Sequence, residues 1–394
     1  METLPKKSNV SDSRVLALEG VRGIAAIIVV IFHVLISFFP AVYYNPNMGL
    51  FTTSGFEHLL YSTPLYALIN GRFAVAIFFI LSGFVLSIGY FTAQNTNQAN
   101  RRNSNQALKR YWRLMIPALA SIMFAWAILA LGLNYNQQAY AATGSLRLQS
   151  SWNFDFSFLG ALYQGLVGMF YGQDWYNQPL WTMQWEFLGS LVVFALLWIF
   201  GKSRFRYALY IVAAVTLAGS YLLGFIIGMV LADLYAQKKL PKIQIWQAVA
   251  LIFLGMLFAA INSYSGSGIS GLFLGIFNWA FFWYFIGATV IILAVLQTPK
   301  ICETLAKRQL VSLGKNTFGL YLIHDILLLS LMSFVFIKLL PSLGYAASFL
   351  VALGVFIAAL IPATIFFTKY VDSSVIRISR KFAEKVGNYA ELKR

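Results

Sequence analysis

His33 and Arg22 are the residues whose types and spacing first suggest chemistry. They lie 11 residues apart. At about 100° per residue that is three full turns plus roughly 20°, so on a helix both project from one face. Their separation along the axis is roughly 16 Å at 1.5 Å per residue. A neutral imidazole can take a proton from a hydroxyl at physiological pH. A guanidinium fork matches phosphate oxygens. Both residues belong to the apolar run 21–39, long enough to cross a bilayer as a helix. An ionisable side chain there is costly and marks function by default.

Other polar groups stand inside or beside apolar runs. His324 sits in LGKNTFGLYLIHDILLL, with Asp325 next to it. Adjacent residues do not share a helical face, so no His–Asp pair follows from that adjacency. Glu186, about two turns into PLWTMQWEFLGSL, needs a cation, a hydroxyl or a histidine as partner. Each histidine has a plainer reading as hydrogen-bonding glue between helices. Lys109, Arg110 and Arg113 are either ordinary flanking charge or a phosphate-binding rim. Arg72 is either an interfacial anchor, the favoured reading, or a cation that binds an acceptor. Asp233 and Glu19, near the cytoplasmic ends of spans, can be solvated, and structural roles are expected for them. His58, in FEHLLYS, is expected to face solvent.

Composition says what must position these groups. The chain is 59% hydrophobic and 11% charged, with a mean hydropathy of +0.71. A soluble domain with that balance would have an apolar surface, so the expected class is an all-α polytopic membrane protein forming one continuous domain. Apolar runs of about 20 residues are far longer than β-barrel strands require. Ten spans are expected, at 21–39, 73–91, 114–133, 180–200, 207–220, 221–236, 244–262, 272–296, 313–339 and 345–368. They divide the chain into an N-terminal segment 1–20, a membrane domain 21–368 and a basic tail 369–394. No cleaved signal peptide is expected, since the first span can direct insertion. The single Cys302 implies no disulfide within the chain and no structural metal site.

Ten crossings with both termini cytoplasmic put 26 of the 29 Lys and Arg residues on the inner side. Only Arg72, Arg147 and Lys338 fall outside, as the positive-inside rule requires. The net charge of +16 is therefore a topology and lipid-headgroup signal, not a nucleic-acid surface. The segment 134–179 is too long for a passive turn and is expected to cap a site.

The stretches LEGVRGIAAIIVVIFHV (18–34), FFILSGFVL (78–86), LKRYWRLMIPAL (108–119), LWTMQWE (180–186) and LGKNTFGLYLIH (313–324) resemble, in order, the motifs of acyltransferase family 3. These are bacterial membrane O-acyltransferases that modify cell-surface glycans, lipids and small molecules. The resemblance spans roughly 18–370. It implies a ten-span module in the inner membrane that takes an acyl group from cytoplasmic acyl-CoA, acetyl by default, and delivers it to a hydroxyl. The expected acceptor is a cell-surface glycan or lipid-linked sugar. Acyl-CoA is then a co-substrate, with no bound cofactor and no metal. On this resemblance His33 is the essential base, with Glu186 and His324 as further catalytic candidates. Arg22, Lys109, Arg110, Arg113, Arg72 and Tyr321 are the substrate-binding candidates. Thr182 stands where serine is common, and Ala76 where one subgroup has aspartate. An acyl-enzyme route, with histidine as nucleophile, is the alternative to direct transfer. A proton-coupled transporter or flippase using His33 and Glu186 is the alternative function.

Overall fold

In the computed structural model, which describes residues 10–44, 55–265, 268–380 and 382, every regular element is helical. The chain runs through α1 (Val10–Phe38), α2 (Gly55–Ser62), α3 (Gly71–Phe91) and α4 (Thr96–Ala130). Three short helices follow, α5 (Asn136–Thr143), α6 (Leu146–Ser150) and α7 (Phe158–Leu166). Next come α8 (Trp181–Phe200), α9 (Arg206–Thr216), α10 (Leu222–Ala236) and α11 (Ile245–Ala259). The last group is α12 (Gly268–Ile276), α13 (Ala280–Gln297), α14 (Pro299–Leu305), α15 (Arg308–Lys315), α16 (Thr317–Leu327) and α17 (Ser333–Phe367).

Six stretches of the described chain are long and apolar enough to cross a membrane. They are Arg14–Phe38 of α1, α3, α4, Gln178–Phe200 around α8, α13 and the run Thr317–Arg380. α9, α10 and α11 are shorter apolar helices. The final run is broken at Gly344, whose φ of 69° and ψ of 176° only glycine adopts readily. The break falls between the spans expected at 313–339 and 345–368.

The core is centred on α3, which packs on α1, α4, α8, α10 and α13. Its start is fixed by Asn70, whose side chain accepts from the Phe73 N–H at 3.1 Å and donates to the Ala259 carbonyl at 2.8 Å. One residue thus caps α3 and ties it to the end of α11. Against α10 the backbones nearly touch. A Cβ at Gly228 would lie 2.0 Å from the Ile80 carbonyl oxygen, and one at Gly83 would lie 2.2 Å from that of Phe225. Glycine pairing is how membrane helices gain close dispersion contact without a hydrophobic driving force. α1 is pinned likewise, since a Cβ at Gly314 would meet the Glu19 carbonyl oxygen at 2.0 Å.

Several expectations need correction. The basic stretch 101–113, left between the spans expected at 73–91 and 114–133, is helical and belongs to α4, whose first turns carry Asn, Gln and Arg on a surface outside the apolar run. The span expected at 272–296 is two helices, α12 and α13, and the Trp283 indole donates to the Phe277 carbonyl at the break, 3.1 Å away. Asp233 is not solvated. It is buried and accepts from Arg206 at 2.7 Å and Gln237 at 2.6 Å, clamping α9 to α10. The start of the tail, 369–380, remains helical, whereas residues 1–9, 381 and 383–394 of the expected terminal segments lie outside the described residues.

The segment 134–179 folds into α5, α6 and α7 and is held by its own polar side chains. Asn136 donates to the Leu148 and Ser151 carbonyls, and Trp152 to the Tyr176 carbonyl at 2.9 Å. Ser145, the N-cap of α6, donates to the Ile36 carbonyl of α1 at 2.7 Å. That bond turns α6 inward and carries Arg147 into the bundle.

Candidate active site

α1 and α16 bring the two intramembrane histidines together. His33 Nδ1 lies 2.7 Å from His324 Nε2, and the rings are parallel to within 5° with centroids 5.0 Å apart. The other nitrogen of His324, Nδ1, lies 3.0 Å from the Leu320 carbonyl oxygen one turn back. A carbonyl only accepts, so a neutral His324 carries its proton on Nδ1 and presents a lone pair at Nε2. His33 must then donate from Nδ1, which leaves its Nε2 as a free base. For a neutral pair the hydrogen-bond partners thus set both tautomers and leave Nε2 of His33 without a proton.

Beside this pair is a buried ion pair. Arg147 of α6 bonds Asp325 of α16 and donates to Ser37 Oγ at 3.1 Å. Asp325 is fully buried, and its Oδ2 has no hydrogen-bond partner among the described residues. Ligand atoms of His33, His324 and Asp325 lie within 4.8 Å of one another, the spacing of a metal site. The direct histidine–histidine bond occupies the His324 lone pair a metal would need, and Arg147 already holds the carboxylate. This donor set fits a proton network better than a coordination sphere.

His33 opens into a cavity of about 390 Å³, within the usual range for small-ligand pockets. Its wall includes Phe32, Tyr43, Arg72, Arg147, Asp174 and Trp181. Arg72 stacks over the Tyr43 ring at 5.3 Å and lines this cavity. Burial pushes the Asp174 carboxyl, in the loop before α8, up to about 6, with Asp325 adding to the rise.

A second cavity, of about 140 Å³, lies towards the basic loops. The order of residues along three helices sets the two cavities end to end. On α1, Arg22 lines one and His33 the other. On α3, Ser82 lines the basic-side cavity and Arg72 the histidine cavity; on α8, Glu186 and Trp181 divide in the same way. Glu186 is held from two sides, by Ser82 Oγ at 2.8 Å and Arg110 Nη2 at 2.5 Å. Arg110 also donates to Ser190 Oγ at 2.6 Å. Arg113 pairs with Asp372 at 3.0 Å, and Arg22 with Glu19 at 3.1 Å. Three guanidiniums therefore line one small cavity, each pre-oriented by a carboxylate.

Val75 and Tyr321 line both cavities. The Tyr321 hydroxyl bonds the Pro179 carbonyl and lies 2.8 Å from Thr182 Oγ1. A single layer of side chains thus separates the arginines from the histidines.

The structure brings His33 and His324 together, and Arg22, Arg110 and Arg113 together, with Tyr321 between the groups. Glu186 lines the arginine cavity and not the histidine cavity. Lys109 lines neither cavity, and His58 is exposed as expected. Sequence reasoning missed Arg147, counted only as an outer-side charge, and gave no partner for Asp325. The available signal was that an intramembrane carboxylate demands a cation and outer cations are few. A family model described as an acyltransferase domain matches residues 15–368. No curated protein and no solved structure matches the chain.

Proposed function

The chain belongs to acyltransferase family 3 and is a membrane acyltransferase; from that premise we propose that it moves an acyl group from acyl-CoA to a hydroxyl, with His33 as the general base. The observation that carries this reading is the histidine relay. Leu320 fixes His324, His324 fixes His33, and Nε2 of His33 is left to accept a proton.

In this mechanism the chain crosses the inner membrane ten times. The crossings are five long helices, the three shorter ones, and the two halves of the final run. Both termini and the basic loops are cytoplasmic, as 26 inner against 3 outer cations favour. Acyl-CoA, most simply acetyl-CoA, binds from that side, with its phosphates on Arg22, Arg110 and Arg113. The pantetheine arm passes Thr182 and Tyr321 and presents the thioester in the histidine cavity. A hydroxyl of a cell-surface glycan or lipid-linked sugar enters from the other side. His33 Nε2 takes the hydroxyl proton as the oxygen attacks the thioester carbon. The resulting imidazolium is stabilised by its Nδ1–H bond to His324. The C–S bond then breaks, and the proton passes from His33 to the CoA sulfur. A base of this kind contributes about 10²- to 10⁴-fold, with positioning supplying the rest.

Two cavities set back to back across one side-chain layer also favour a second reading, a proton-coupled flippase. One experiment separates the two. Purified protein is given acetyl-CoA with candidate sugar acceptors, and free CoA thiol is measured. Acceptor-dependent CoA release that His33→Ala abolishes supports the acyltransferase. His33-dependent flux into vesicles without CoA release supports the flippase.

A further inference from the structure

The wall of the histidine cavity holds a cation and a hydroxyl that the mechanism above does not use. Arg72 lies at the first turn of α3, and its guanidinium stacks over the Tyr43 ring. Among the described residues it forms no ion pair, whereas Arg147 in the same wall is paired with Asp325. Asp174, the carboxylate of the same wall, forms no ion pair with Arg72 among the described residues. Tyr43 is 3% exposed, and its hydroxyl is buried without a hydrogen-bond partner among the described residues. A buried hydroxyl without a partner and a cation without a counter-charge are each costly, and a membrane setting makes them more so. Both are explained at once if a ligand oxyanion completes them.

Their position relative to the base is set by Phe32. Its ring lies 5.7 Å from that of His33 and 5.2 Å from that of Tyr43, centroid to centroid. Phe32 is therefore a common neighbour of the subsite and the base. We propose that Arg72 and Tyr43 form an oxyanion subsite, and that the acceptor is a sugar or polyol with a phosphate or carboxylate about one sugar ring from the hydroxyl that is acylated. Arg72 supplies the charge and Tyr43 an O–H donor, the pairing used wherever oxyanions are bound away from water. The inference rests on the histidine cavity being the acceptor site.

The test uses the full-length protein in dodecyl maltoside, which contains no phosphate. Acetyl-CoA is the donor, and methyl glucoside, glucose 6-phosphate and glucuronic acid are compared as acceptors by CoA thiol release. The expected result is a kcat/KM about 10- to 100-fold higher for at least one charged acceptor than for the neutral one, the usual worth of a charge-assisted pair. Arg72→Gln should bring that preference to about threefold or less, chiefly through KM, and Arg72→Lys should keep part of it. Equal use of neutral and charged sugars overturns the inference and leaves the acyltransferase reading intact. So does a preference that survives Arg72→Gln.

Calorimetric binding of the same three sugars provides a readout independent of turnover. Binding of a charged sugar that Arg72→Gln loses supports the subsite, even if no acceptor releases CoA and the acyltransferase reading fails. Binding of none of them, or of all equally, overturns it. Stabilisation by phosphatidylglycerol with no response to either charged sugar would make Arg72 a lipid-headgroup anchor and also overturn it.

Discussion

Removing the His324 imidazole should reduce turnover without weakening donor binding. In the structure, His324 Nε2 is the acceptor for His33 Nδ1–H at 2.7 Å. That bond becomes charge-assisted when His33 takes the acceptor proton, and such bonds are worth about 1.5–3 kcal/mol. At 1.36 kcal/mol per tenfold in rate, His324→Ala should lower kcat by about 10- to 150-fold. KM for acyl-CoA should change by about twofold or less, because the arginine cavity lies beyond Tyr321 and does not contain His324. His324→Asn, whose amide oxygen can also accept, should recover part of the loss. The assay is steady-state CoA release from purified protein at saturating acceptor. A kcat within about twofold of wild type would refute the relay. A loss confined to KM would refute it equally.

Three further outcomes are expected. Arg147→Met or Asp325→Leu alone leaves one buried charge unpaired and should cost about 3–5 kcal/mol, whereas the double variant should recover most of that; thermal unfolding in detergent reads the difference, and a double variant no better than the singles would contradict the pairing. Tyr321→Ala opens the layer between the cavities, so use of butyryl-CoA relative to acetyl-CoA should rise about tenfold or more; an unchanged ratio would show that this wall does not limit acyl size. Burial pushes Asp174 up to about 6, so the folded chain holds that proton more tightly than the unfolded one. The charge then costs stability in full above pH 6 and nothing below about pH 4. Asp174→Asn should stabilise by about 1 kcal/mol at pH 8, given the partial exposure of the group, with no gain at pH 4, as thermal melts at the two pH values would show.

Most apolar helices were legible because burial in lipid demands long apolar runs, and hydropathy reports those directly. The polar start of α4 was not, since a surface helix rich in Asn and Gln leaves no hydropathy signal. The α12–α13 break was hidden for the opposite reason. The chain stays apolar through it, and a tertiary bond from Trp283 takes up the Phe277 carbonyl. The shared face of Arg22 and His33 followed from helical periodicity alone, and each does line a cavity. The contact of His33 with His324 joins residues 291 positions apart. Nothing local in either segment encodes that, and the same holds for Arg147 with Asp325. Arg147 was hidden further because it lies in the segment expected to cap a site, where its charge counted only towards topology, and the Ser145 bond to the Ile36 carbonyl helps to turn it inward.

We propose His33 as the base of an acyl transfer to a cell-surface hydroxyl. Glycan and lipid mass spectrometry of cells with the gene intact, deleted, or carrying His33→Ala tests it most directly. The expected result is an acyl mass on one acceptor class in the intact strain. That mass should be absent from the deletion and from a His33→Ala strain whose protein accumulates normally. Retention of the acyl mass by His33→Ala, or no acyl difference between the intact and deleted strains, would contradict the claim.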